Sequence, residues 1–67
     1  MCESKVFLIE GGKKEKLMDE AVIVKDEGGK ITLTGLLGER KEIKNARIAG
    51  VDAGKHEIFI KRISNEE

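Results

Sequence analysis

The sequence predicts an all-β chain, a small SH3- or Sm-like β-barrel of six or seven short antiparallel strands. Eight glycines punctuate short apolar runs at close intervals, and no proline interrupts those runs. That spacing is the mark of brief strands joined by tight turns. Ile31 and Leu33 alternate with Thr32 and Thr34, the two-residue period of a strand with one face covered. A length of 67 residues allows a single domain with strands only about 5 residues long.

Residues 5–10 form the first expected strand, with Val6 and Leu8 on one face and Phe7 and Ile9 on the other. Gly11-Gly12 signals a two-residue hairpin, because glycine accepts the positive φ angles such turns require. Residues 13–18 are expected to return as a strand, although Leu17 and Ala21, like Met18 and Val22, also stand four apart as on a helix face. Residues 21–25 hold the β-branched run Val22-Ile23-Val24 and read as a separate, buried strand. Asp26-Glu27-Gly28-Gly29 turns the chain into the strand at 30–34, and Gly35 marks a bulge or sharp bend. Leu36-Leu37 are expected in the core, with Gly38-Glu39 turning after them. Weaker strands at 42–45 and 47–51 carry Ile43, Ile48 and Val51. Asp52-Ala53-Gly54-Lys55 is a further hairpin turn, and His56 opens the last strand, expected over 56–63. The domain is thus expected over residues 1–63, with a polar tail at 64–67. The first and last strands are apolar on both faces, an excess that could cover a partner subunit.

Thirteen basic and 13 acidic side chains cancel, which removes the strong positive balance of a dedicated nucleic-acid binder. The best basic cluster, Arg40, Lys41, Lys44 and Arg47, could touch phosphates and is the basis of an alternative reading as an RNA-binding module. Glu39 and Glu42 interrupt it, and two phenylalanines without tyrosine or tryptophan leave little for bases to stack on. No catalytic constellation is present: Ser4 and Ser64 lie near the ends, there is one histidine, and no phosphate-binding loop or calcium loop occurs. An enzyme is therefore not expected. No segment approaches the ~20 apolar residues of a membrane span, and no signal-peptide core is seen, so a cytoplasmic location is expected. One cysteine cannot form an internal disulfide, and dimerisation is the expected source of added stability for so short a chain.

That cysteine carries the sharpest chemical signal. Cys2 stands beside an α-amine. With Met1 removed, the Cys2 amine and thiolate close a five-membered chelate on a metal. With Met1 retained, its amine, the Cys2 amide nitrogen and the sulfur form two fused rings of that size. Such planar nitrogen and thiolate donors suit Ni(II) or Cu(II) better than calcium or magnesium. Met1, Cys2 and the adjoining Glu3 are the candidate metal residues, and His56 is a possible secondary ligand. A dimeric scaffold without any ligand is the remaining alternative.

Read end to end, the sequence resembles the CooT family, also described as predicted RNA-binding proteins. The resemblance rests on Met1-Cys2-Glu3 with the apolar strand after it and on the run from Ile31 to Glu39. Arg47-Ile48, Val51-Asp52 and His56-Glu57-Ile58 extend it. It implies a homodimeric small β-barrel that binds nickel and serves the maturation of a nickel enzyme such as carbon monoxide dehydrogenase, with Cys2 as the metal ligand. Hydrogenase-maturation chaperones of HypC type, which also use a cysteine at that position, point the same way. The resemblance implies no ligand role for His56.

Overall fold

The computed structural model describes residues 3–63, so Met1, Cys2 and the tail at 64–67 lie outside the described residues. Its strands are β1 (Ser4–Glu10), β2 (Lys13–Asp26), β3 (Lys30–Gly35), β4 (Arg40–Lys44), β5 (Ala46–Asp52) and β6 (Glu57–Arg62). They form one six-stranded sheet in the order β4-β3-β2-β1-β6-β5. The end strands of that order, β4 and β5, are joined in the chain by Asn45 alone. A sheet whose opposite edges meet through one residue cannot stay flat. It curls into a half-barrel, as the small-barrel class expected from the sequence requires. Asn45 makes the corner in the left-handed region, at φ 53°, which asparagine tolerates better than most residues. The Ile63 N–H donates to the Asn45 carbonyl at 2.7 Å, and the Ala46 N–H to the Gly29 carbonyl at 3.3 Å, pinning both sides of the corner.

The core lies inside the curl. Val6, Ile31, Leu33 and Ile60 are its largest fully buried side chains, with Leu8, Met18, Ala21, Ile43 and Ala46 around them. Each fully buried aliphatic side chain of this size stabilises the fold by about 1.5–3 kcal/mol. The other face of β1 and β6 is also apolar. There Phe7 and Phe59 stack with centroids 5.9 Å apart, and the Lys14 ammonium lies 4.8 Å from the Phe7 centroid. The two faces of the first and last strands thus serve different purposes.

Several expectations need correction. The segments at 13–18 and 21–25 are one 14-residue strand, not two. Met18 and Ala21 are both buried although three apart, which a regular strand forbids, because bulges shift the β1–β2 register between them. Val22 and Ile23 are exposed rather than buried, since a further shift opposite Gly35 turns them outward. The strands are not all antiparallel: β1 and β6 pair in parallel, Val6 with Ile58 and Leu8 with Ile60. The long route between them through four other strands makes a parallel pairing possible. Leu36 and Leu37 lie outside the core, because the β3–β4 ladder ends at Thr34 and Arg40 and they project beyond it. His56 belongs to the turn before β6, at φ 55°, and not to the strand.

The turns follow their sequence signals. Gly11 and Gly12 both adopt positive φ, at 58° and 78°, between β1 and β2. The Asp26 carboxylate accepts the Gly28 N–H at 3.0 Å between β2 and β3.

Candidate functional site

Three segments remote in the sequence meet at one end of the half-barrel. Glu3 lies just before β1 and Lys5 near its start, Asp19 and Glu20 come from the bulged part of β2, and Lys55 and His56 from the turn before β6. Together they line an open polar hollow of about 470 Å³. The turn is built by Asp52, whose carboxylate accepts the Lys55 N–H at 3.1 Å, while the His56 N–H donates to the Ala53 carbonyl at 3.4 Å. The His56 carbonyl in turn accepts the Lys5 N–H at 2.9 Å. That bond ties the turn to the first strand and holds His56 on the same rim as Glu3.

The charges on the rim are mixed. The Lys16 ammonium pairs with Asp19 at 3.0 Å. The Glu3 carboxyl is held below the ordinary carboxylate range, chiefly by a hydrogen bond from its own backbone. Among the described residues, no group of three or more His, Cys, Asp and Glu side chains could hold a metal ion. Of the expected metal residues, Met1 and Cys2 lie outside the described residues, and Glu3 and His56 share the hollow. Cys2 is joined directly to Glu3. Among the described residues, the chemistry available at this end is that of the Glu3, Asp19 and Glu20 carboxylates, two lysine ammonium groups and the His56 imidazole.

The basic residues of the RNA alternative are distributed. Arg40 pairs with Thr34 and Lys44 with Lys30, whereas Lys41 pairs with the buried Leu33, on the core side of the sheet. The Lys41 ammonium reaches across to the Leu17 carbonyl at 3.1 Å. Arg47 stands opposite Lys61 on β5, at the other end of the strand order. Glu42, between them in β4, pairs with the Lys30 ammonium at 3.4 Å.

Sequence reasoning missed Lys5, Asp19, Glu20 and Lys55 as walls of the hollow. No local pattern marks them, since a bulge and a parallel pairing bring them together. It also missed the tip at Leu36-Leu37, whose signal is visible afterwards: an apolar pair enclosed by Gly35 and Gly38 and followed by an acid.

Fold and hollow together define a small half-barrel protein with an open polar hollow at one end. The chain belongs to the CooT family, described as CO dehydrogenase accessory protein CooT, whose family model matches residues 1–61. Its fold is similar to the crystal structure of a protein assigned to CooT from Carboxydothermus hydrogenoformans. That similarity has a TM-score of 0.81 and 26% identity, and it covers 91% of this chain and 97% of the other. Among curated proteins, none matches the chain. Among the described residues, no helix is long and apolar enough to cross a membrane.

Proposed function

We propose that this member of a carbon monoxide dehydrogenase accessory family carries Ni(II) to its client, held by the Cys2 thiolate and main-chain nitrogen at a homodimer interface. The observation that carries the reading is the common rim of Glu3 and His56, fixed by the hydrogen bond between Lys5 and the His56 carbonyl, with Cys2 as the next residue. One thiolate and one nitrogen from each chain make up the four donors of a tetragonal Ni(II) ion, which is why the site is shared between two copies. Glu3 and His56, on the rim that Cys2 precedes in the sequence, are the residues assigned to exchange when the ion leaves. Nickel here is cargo, and the protein's work is to bind it at an accessible end and let it go.

Binding near neutral pH displaces protons from the thiol and the amide or amine, so uptake is accompanied by proton release. Calorimetric titration of Ni(II) into the wild type and Cys2→Ser tests the reading. The wild type is expected to bind one ion per two chains, and Cys2→Ser to bind far more weakly. Equal affinities would overturn it, and one ion per chain would overturn the shared site.

A further inference from the structure

Cross-strand partners share a face of a sheet, so the pairing registers sort the outward side chains of the half-barrel into rows. In one row Phe7 stands between Lys16 of β2 and Phe59 of β6, and Phe59 is paired with Gly50 of β5. In the next row Ile9 stands between Lys14 and Lys61, and Lys61 is paired with Arg47. Both aromatic side chains of the chain therefore share one row, with a row of cations alongside it. At the usual spacing between neighbouring strands, Lys14 to Arg47 spans about 14 Å. Lys14, Lys61 and Arg47 are exposed and form no ion pair among the described residues. The acids of this face, Glu57 and Asp52, lie on the other side of the aromatic row and are paired with each other. Glu10, the acid nearest the cations, is engaged by Arg62 at 3.4 Å.

Both rings are half-buried, so part of each meets water. Gly50 has no side chain with which to cover Phe59; a Cβ there would stand 3.9 Å from the ring. The Lys14 ammonium lies 4.8 Å from the Phe7 centroid and 5.9 Å from that of Phe59, a cation held beside rings rather than by a carboxylate. The matching ligand carries flat rings and a line of anions at once. An acidic protein surface supplies the anions without the rings, and a duplex hides its rings within the stack. A single strand offers both. We infer that this face binds single-stranded nucleic acid, with bases resting on Phe59 and Phe7 and phosphates following Lys14, Lys61 and Arg47. Binding is tolerant of sequence, because stacking and charge read no base edge. The site is not the Arg40, Lys41, Lys44 and Arg47 cluster of the sequence, with which it shares Arg47 alone. Nor does it rest on the nickel reading, since the cation row lies at the opposite end of β1 from Glu3.

The test is fluorescence anisotropy of short labelled oligoadenylates, as RNA and as DNA, titrated with the nickel-free protein. Wild type is expected to bind at least one of them with a dissociation constant of about 1–100 μM at about 50 mM salt. Three neutralised phosphates then require binding about twentyfold weaker at about 200 mM salt. R47E/K61E is expected to bind at least about tenfold more weakly. Phe59→Leu, which keeps an apolar side chain but removes the ring, should lose at least about fivefold. R40E, on the other cluster, should bind as the wild type does. Lys14→Gln, at an exposed position, reads the same face should Phe59→Leu melt early, and should lose at least about threefold. The arm that binds more tightly names the source as RNA or DNA. Undiminished binding by Phe59→Leu that melts as the wild type does would reduce the face to a patch of charge and overturn the inference. So would undiminished binding by R47E/K61E, equal weakening by R40E, or equal affinity for the same strand in a duplex. No binding by the wild type, or tighter binding to polyglutamate or anionic lipid vesicles, would overturn it as well. The nickel titration is read on separate samples, so failure of either result leaves the other standing.

Discussion

The side chain of Glu39 lies against Gly35, so closely that a Cβ added at Gly35 would run into the Glu39 carboxyl group. The same carboxylate accepts the Leu37 N–H. The glycine makes room for the acid, and the acid fixes the turn.

Gly35→Ala is therefore expected to displace Glu39 and cost about 1 kcal/mol, the worth of one net hydrogen bond. Glu39→Ala should cost about the same, since it removes that bond directly. The two effects share a partner, so the double variant should be no less stable than the worse single one. Urea unfolding of the four proteins measures the coupling. Additive losses would show that Gly35 and Glu39 act separately.

Truncation within the curl should be severe. Leu33 and Ile60 are fully buried, and Leu33→Ala or Ile60→Ala is expected to cost about 2–5 kcal/mol. In a domain of this size each kcal/mol lowers the melting temperature by about 4–8 °C. Val51→Ala, on an exposed position, should stay within about 0.5 kcal/mol. Thermal melts followed by circular dichroism distinguish the two classes.

Backbone conformation makes a third prediction at Asn45 and His56, with φ of 53° and 55°. Glycine adopts this region without steric penalty, so Asn45→Gly and His56→Gly should leave stability within about 0.5 kcal/mol. Asn45→Ala should cost about 1–2 kcal/mol, because a Cβ in this region crowds the carbonyl oxygen. A melt of Asn45→Ala matching that of Asn45→Gly would show that the corner does not depend on its φ.

On the outer face, Phe7, Phe59 and Lys14 form one unit. A double-mutant cycle between Phe7→Leu and Phe59→Leu should return a coupling of about 0.5–1.5 kcal/mol. Lys14→Met should cost less than about 1 kcal/mol, the worth of a cation over an exposed ring. Zero coupling in denaturant titrations would show that the rings pack independently.

Much of this architecture can be read from residue order. Ile31 to Thr34 alternates cleanly and is a strand. Gly11-Gly12, Asp26 to Gly29 and Asp52 to Lys55 are turns because their residues accept positive φ or offer a carboxylate to the backbone. β2 resists such reading for a physical reason: its bulges break the two-residue period on which strand recognition depends. Leu36 and Leu37 resist it differently, since apolar character alone does not tell whether a residue lies within a ladder or past its end. Cys2, marked in the sequence by its type and position, lies outside the described residues. The polar hollow was not legible, because Glu3, Glu20 and His56 are neighbours only through the parallel pairing of β1 with β6 and the displacement in β2.

That parallel pairing has a bearing on biogenesis. β1 needs β6 on one side, and the Lys5 N–H needs the carbonyl of His56. During synthesis β1 must wait for β6 to emerge from the ribosome before its surroundings are complete. A chain stopped before β6 lacks a wall of the polar end, so the rim shared by Glu3 and His56 forms only after β6 has been made.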